Sequence, residues 1–67
     1  MISYSPLWDT LKRKNESWYS LEKKYKVSAA TLSRLKNNQG VTTKTINDLC
    51  KILHCDVSEI MRYEEDR

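Results

Sequence analysis

Cys50, His54 and Cys55 are the residues whose types first suggest chemistry. Cys50 and His54 stand at i and i+4, the spacing that puts a thiolate and an imidazole on one helix face. A closed zinc site needs four ligands in tetrahedral array. The chain holds two cysteines and one histidine in all, with no second pair to complete such a set. Cys50 also falls in an apolar stripe, where a free cysteine behaves as a small hydrophobe. His54 as a general base lacks both a nucleophile and an orienting group, and the single glycine rules out a Gly-rich phosphate cradle. The expectation is no catalysis, no metal and no cofactor.

A second set of residues offers recognition instead. Ala30, Ser33, Arg34 and Asn37 recur at i, i+3, i+4 and i+7, with Ala29 beside them and Leu32 and Leu35 on the opposite face. Small side chains let a helix backbone approach base edges. An arginine among them can pair with guanine O6 and N7, and alanine methyls can touch thymine methyl groups. The plainer reading of Arg34 is a solvated cation that ends a helix favourably. Residues 1–44 carry nine Lys/Arg against three acids, a charge of +6, and residues 45–67 carry three against six, a charge of −3. A basic N-terminal two-thirds fits a polyanion footprint. Lys12, Arg13, Lys14, Lys23, Lys24 and Lys26 have a second reading, as complements to the C-terminal dipoles of two helices.

The elements that must position these residues follow from apolar spacing and caps. Ser5 before Pro6 predicts a helix from Pro6 to about Lys14, with Leu7, Trp8 and Leu11 on one face and Asp9 in its first turn. Ser17 opens a second helix with Trp18, Leu21 and Tyr25 on one stripe, ending near Tyr25. Ser28 caps a third, from Ala29 to about Lys36. The Asn37–Gly40 cluster ends it, because Asn and Gly tolerate the left-handed conformation. Ile46, Leu49, Cys50 and Leu53 mark a fourth helix, after a Thr42/Thr43 cap and running to about His54. Asp56 with Glu59 predicts a short fifth, with Val57, Ile60 and Met61 inward. Residues 2–4 are placed as an extended segment pairing near Tyr63. Trp8 and Tyr25 lie on core faces, whereas Trp18 is open to a role near bound nucleic acid.

The 67-residue chain, 39% apolar with no Phe, one Gly and one Pro, has material for one small core and little turn punctuation for a many-stranded sheet. A single all-α, five-helix domain over residues 1–67 is expected. No stretch is long and apolar enough for a membrane span or signal-peptide core, so the chain reads as cytoplasmic with reduced thiols.

From Ser17 onward the chain resembles the Cro/CI-type phage-repressor helix-turn-helix family. The resemblance rests on Ser17-x-x-x-Leu21, on Val27-Ser28-x-x-Thr31-Leu32-Ser33-Arg34-Leu35, and on Ile46-x-x-Leu49-Cys50-x-x-Leu53. Ile2-Ser3-Tyr4-x-Pro6-Leu7-Trp8 looks like the opening of a compact bacterial subgroup. The resemblance implies a recognition helix over about residues 29–36 in the DNA major groove, with Ala29, Ala30, Ser33 and Arg34 at base-reading positions. It also implies phosphate contacts from Ser17 and the amides of Trp18 and Tyr19, and from Asn37, Asn38, Gln39 and Lys44 in the following loop. The chain departs from the family pattern at Lys26, where a turn glycine is usual, at Glu22, where a small residue is usual, and at Lys36 and Asn38. The function implied is a sequence-specific duplex-DNA-binding transcriptional regulator, a repressor acting as a homodimer on a pseudo-palindrome, with no small-molecule effector. The rival expectation is an antitoxin-like protein-interaction module that binds a partner protein.

Overall fold

The computed structural model describes residues 1–65. Four α-helices follow one another: α1 (Ser5–Arg13), α2 (Trp18–Lys23), α3 (Ala29–Lys36) and α4 (Thr43–Leu53). Two short strands, β1 (Ile2–Ser3) and β2 (Arg62–Tyr63), pair antiparallel with Ile2 opposite Tyr63 and Ser3 opposite Arg62. The terminal pairing expected from residues 2–4 is therefore present.

The fifth helix is not. Val57–Glu59 forms one 3-10 turn, with the Glu59 and Ile60 amides bonded three residues back to Asp56 and Val57. Ile60 is fully buried and Arg62 already belongs to β2, so the chain has no length left for a second turn. Val57, expected inward, is 46% exposed. The Glu59 carboxylate does accept from the Asp56 amide at 2.8 Å, which is the reciprocal bond that this spacing predicts.

The start of α1 also differs. Ser5 lies inside the helix, Tyr4 occupies the cap position without a side-chain cap, and the Ser5 amide donates to Ser3 Oγ at 3.2 Å. With the helix starting one residue earlier, Asp9 falls beyond its first turn. The caps of the other three helices stand as the sequence predicts. Ser17, Ser28 and Thr42 accept from the amides of Ser20, Thr31 and Thr45 at 3.1–3.2 Å.

Leu7, Leu11, Leu21, Leu32, Leu35, Ile46, Leu49, Leu53 and Ile60 fill the centre, with Tyr4 and Thr10 buried among them. Cys50 and Cys55 are free thiols packed at the edge of this core. Burial beside Cys50 raises the Cys55 thiol above its ordinary pKa. His54 is exposed and left-handed at the end of α4.

Helix ends supply the sharp turns without glycine. Asn15, Asn38 and His54 adopt φ of 51–57°. Each lets the next amide reach back five residues: Glu16 to the Leu11 carbonyl, Gln39 to Arg34 and Cys55 to Cys50, at 2.8–3.1 Å. Gly40 has no positive φ, so the turn after α3 rests on Asn38 rather than on the glycine.

Candidate nucleic-acid interface

α3 separates its two faces cleanly. Leu32 and Leu35 are buried, while Ala29, Ala30, Ser33, Arg34, Lys36 and Asn37 are exposed. The Ser28 hydroxyl fixes the start of the helix. At its end the Asn37 side-chain amide donates to the Ser33 carbonyl at 2.8 Å. Both termini are thus tied down by their own side chains, which presents the outward face on a rigid element. The Arg34 side chain has no partner among the described residues. A guanidinium held this way keeps all its donors for an external acceptor.

α2 is set by the Ser17–Ser20 pair. Ser20 Oγ accepts from the Ser17 amide at 2.8 Å, and Ser17 Oγ accepts from the Ser20 amide at 3.1 Å. The Trp18 and Tyr19 amides have no acceptor in the chain among the described residues. Two N–H groups thus open outward at the positive end of the helix. Tyr19 is 70% exposed. Trp18 stacks on Trp8, ring centroids 3.8 Å apart and tilted by 46°, so its ring is a packing group rather than a free platform.

The Lys36 ammonium lies 4.6 Å from the Trp18 ring centre. This cation–π contact brings the end of α3 against the beginning of α2. The Lys36 side chain thus reaches from the end of α3 to the Trp18 ring at the start of α2. The sequence singled out Lys36 only as a departure from the family pattern. Its role becomes visible once Trp18 is seen to face it.

Between α2 and α3, Lys26 takes the left-handed conformation, φ 63°, at the position where glycine is usual. The Val27 amide then returns to the Leu21 carbonyl at 2.9 Å. Glu22, in place of a small residue, points to solvent, while Leu21 is fully buried on the inner side.

The loop after α3 divides its work. Asn38 Oδ1 accepts from the Tyr4 amide at 3.1 Å, and the Gln39 carbonyl accepts from the Tyr4 hydroxyl at 2.9 Å. The Asn38 side-chain oxygen thus anchors the loop to α1, and the Gln39 side chain remains exposed. Lys44, in the first turn of α4, pairs with Asp48 at 3.1 Å, with both groups well exposed. Such a pair adds little to stability, and salt or a competing anion can replace it.

Among the other cations, Arg13 pairs with Glu59 at 3.3 Å and Lys24 with Glu16 at 3.6 Å. Lys12, Lys14, Lys23 and Lys26 are exposed and form no ion pair among the described residues. Glu16 also accepts from the Tyr25 hydroxyl at 2.7 Å, and this bond, with Lys24 adding to it, holds the carboxyl below its ordinary pKa. The Asp56 amide, aided by Arg13, does the same for Glu59.

No curated protein matches the chain. It is similar to the crystal structure of the transcriptional regulator VanUg, at 26% identity and a TM-score of 0.88, over 97% of this chain and 87% of that one. The family model of the Cro/C1-type helix-turn-helix DNA-binding domain matches residues 6–66. The chain belongs to the Cro/C1-type helix-turn-helix DNA-binding family.

Proposed function

We propose that this chain is a sequence-specific regulator of transcription that represses by occupying duplex DNA, with α3 in the major groove. The observation that carries this reading is the outward face of α3. An arginine with no partner among the described residues stands there among small residues, on a helix pinned at both ends. Arg34 pairs with guanine, Ser33 takes a second base edge, and Ala29 and Ala30 allow the close approach and meet methyl groups. The Trp18 and Tyr19 amides with the Ser17 hydroxyl hold one phosphate. Asn37, Gln39, the free Asn38 amide nitrogen and Lys44 grip the backbone on the other side of the groove. The transcriptional regulator among its structural neighbours supports the same assignment. One module reads few base pairs, so two copies bind half-sites about 34 Å apart on one face of the duplex.

The test is selection of bound sequences from random duplex, followed by titration of the selected and random duplexes over a salt series. The expected result is a defined motif of two related halves and a log–log slope set by about 0.9 per phosphate contact. Affinity insensitive to salt, with no motif enriched, overturns the reading. A stable complex with one co-expressed protein, combined with that result, favours the protein-interaction module.

A further inference from the structure

The left-handed turns that end α1, α3 and α4 do more than close hydrogen bonds. Each brings together the side chains of the two residues joined by the five-residue bond, a contact that this helix ending commonly makes. The joined residues are Leu11 and Glu16 after α1, Arg34 and Gln39 after α3, and Cys50 and Cys55 after α4. The α4 turn, with His54 at φ 51°, therefore pairs two thiols. Both are free and half-buried, and the Cys50 sulfhydryl acts directly on that of Cys55. The thiols open onto a groove between α4 and the 3-10 turn, about 330 Å³ in volume. Ile46, Val57 and Met61 form its apolar wall, so Val57, left in the open by the shortened helix, has a place along it. An apolar cavity on the order of 150 Å³ already holds benzene. A ring has room beside the two sulfurs.

Two thiols against an apolar wall narrow the chemistry. Among the described residues no third His, Cys, Asp or Glu joins them in a set able to hold a metal ion, so the four ligands of a closed zinc site are not assembled here. A soft monovalent cation held by two thiolates would leave a net negative charge on the apolar groove. Burial, with the Cys50 thiol and the Glu59 carboxylate outweighing Lys14, also keeps the Cys55 thiol protonated. A disulfide needs an oxidant and sulfurs drawn to about 2.04 Å with a fixed dihedral angle. A trivalent arsenic atom carrying one organic group avoids each of these costs, because it bridges two neutral thiols and leaves a neutral product.

We propose that Cys50 and Cys55 form a binding site for trivalent arsenicals with one organic substituent, R–As(OH)2, whose substituent lies in the groove against Ile46, Val57 and Met61. Two As–S bonds form and two As–O bonds break. Each thiol proton leaves with a hydroxyl, giving two waters, and arsenic stays trivalent throughout. The site shares no residue with the outward face of α3 and does not rest on the DNA reading.

The test adds phenylarsine oxide to the full, phosphine-reduced chain in the presence of excess glutathione, a competing monothiol. Intact mass should show one phenylarsenic per chain, with both thiols lost to alkylation and both restored by a small dithiol. An unfolded chain with two cysteines also takes up arsenic, so the decisive reading is the urea midpoint. A site built by the fold binds the folded chain at least about tenfold more tightly and raises that midpoint. Cys50→Ser and Cys55→Ser should each lose the adduct to glutathione and show no midpoint shift. Should either variant fail to fold, the wild-type midpoint still decides. Val57→Ser, at an exposed position, should weaken capture of the phenyl compound more than that of its methyl counterpart. No adduct, an adduct that leaves the midpoint unchanged or lowers it, or equal capture by a single-cysteine variant overturns the proposal. Equal losses of the phenyl and methyl compounds in Val57→Ser overturn the placement of the substituent in the groove.

Discussion

The two ends of α1 and the exposed surface of the α2–α3 pair use polar groups in opposite ways. At the first, Tyr4 reaches Asn38 and Gln39, the buried Thr10 hydroxyl donates to the Glu59 carbonyl at 2.7 Å, and Arg13 reaches both Thr10 and Glu59. Every one of these groups has a partner more than thirty residues away in sequence, directly or through a neighbour. On the α2–α3 pair the hydrogen bonds are local caps, and the outward donors of Arg34, Trp18 and Tyr19 have no acceptor among the described residues. A chain this small leaves much of its surface exposed. It closes the fold with side-chain-to-backbone bonds at one side and leaves donors open to solvent on the other.

The largest effect is expected where both regions share a core. Leu35 is fully buried behind the outward face of α3, and Leu35→Ala should remove about 2–5 kcal/mol, much of a small domain's stability. Urea unfolding measures it. A loss under 1 kcal/mol would mean that α3 is not held by this contact, and the division between its two faces would fail.

Next come two variants that should separate the regions. Thr10→Val strands the Glu59 carbonyl and should cost about 1–3 kcal/mol of stability, while the folded fraction binds DNA with unchanged affinity. Arg34→Ala should do the reverse. Affinity for a selected duplex falls by about 1–3 kcal/mol, random duplex loses less, and the unfolding midpoint stays put because an exposed arginine near a helix end contributes little to folding. Equal losses of affinity on selected and random DNA would make Arg34 a phosphate contact.

Acid should act on the closing side before the outward one. Both Glu16 and Glu59 have pKa values lowered in the folded chain by hydrogen bonds and nearby cations. Their contribution is complete above the ordinary carboxylate value of 4.5 and is lost as pH falls through it toward the lowered folded values. The Glu59 side chain is 37% exposed, so its share of the loss is modest, whereas that of Glu16 is only 16% exposed. Glu59→Gln should make stability between pH 5 and pH 3 fall less steeply, read as unfolding midpoints across that range. An unchanged slope would remove Glu59 from the closure.

The same contrast explains what could be read from sequence. The caps at Ser17, Ser28 and Thr42 and the limits of α3 were legible because each rests on residues three or four positions apart. The outward residues of α3 were legible because burial of Leu32 and Leu35 fixes the opposite face. Tyr4 and Thr10 were not, since their partners lie 34 to 49 positions away and no local pattern marks a buried hydroxyl. The Lys36–Trp18 contact escaped for the same reason. The fifth helix failed as an expectation because a good cap at Asp56 signals only a start. Burial of Ile60 and the pairing of β2 impose the stop.

The smallest effect concerns Lys26, which separates the two regions' demands at one residue. Four described residues other than glycine have positive φ, and three are Asn or His, types that enter this conformation readily. Lys26 is the exception, and a long side chain there costs on the order of 1 kcal/mol. If folding alone governed the position, Asn would serve better. Lys26→Asn should therefore stabilise the chain by a few tenths to about 1 kcal/mol, with the Val27–Leu21 bond retained. The substitution also removes an exposed cation from the turn that leads into α3. On the DNA reading it should lower affinity for selected and random duplex alike and flatten the salt slope by up to about 0.9. Raised stability with weakened, less salt-dependent binding would show a strained backbone kept for its charge. Raised stability with unchanged binding would confine the outward surface to α3, the start of α2 and the loop that follows.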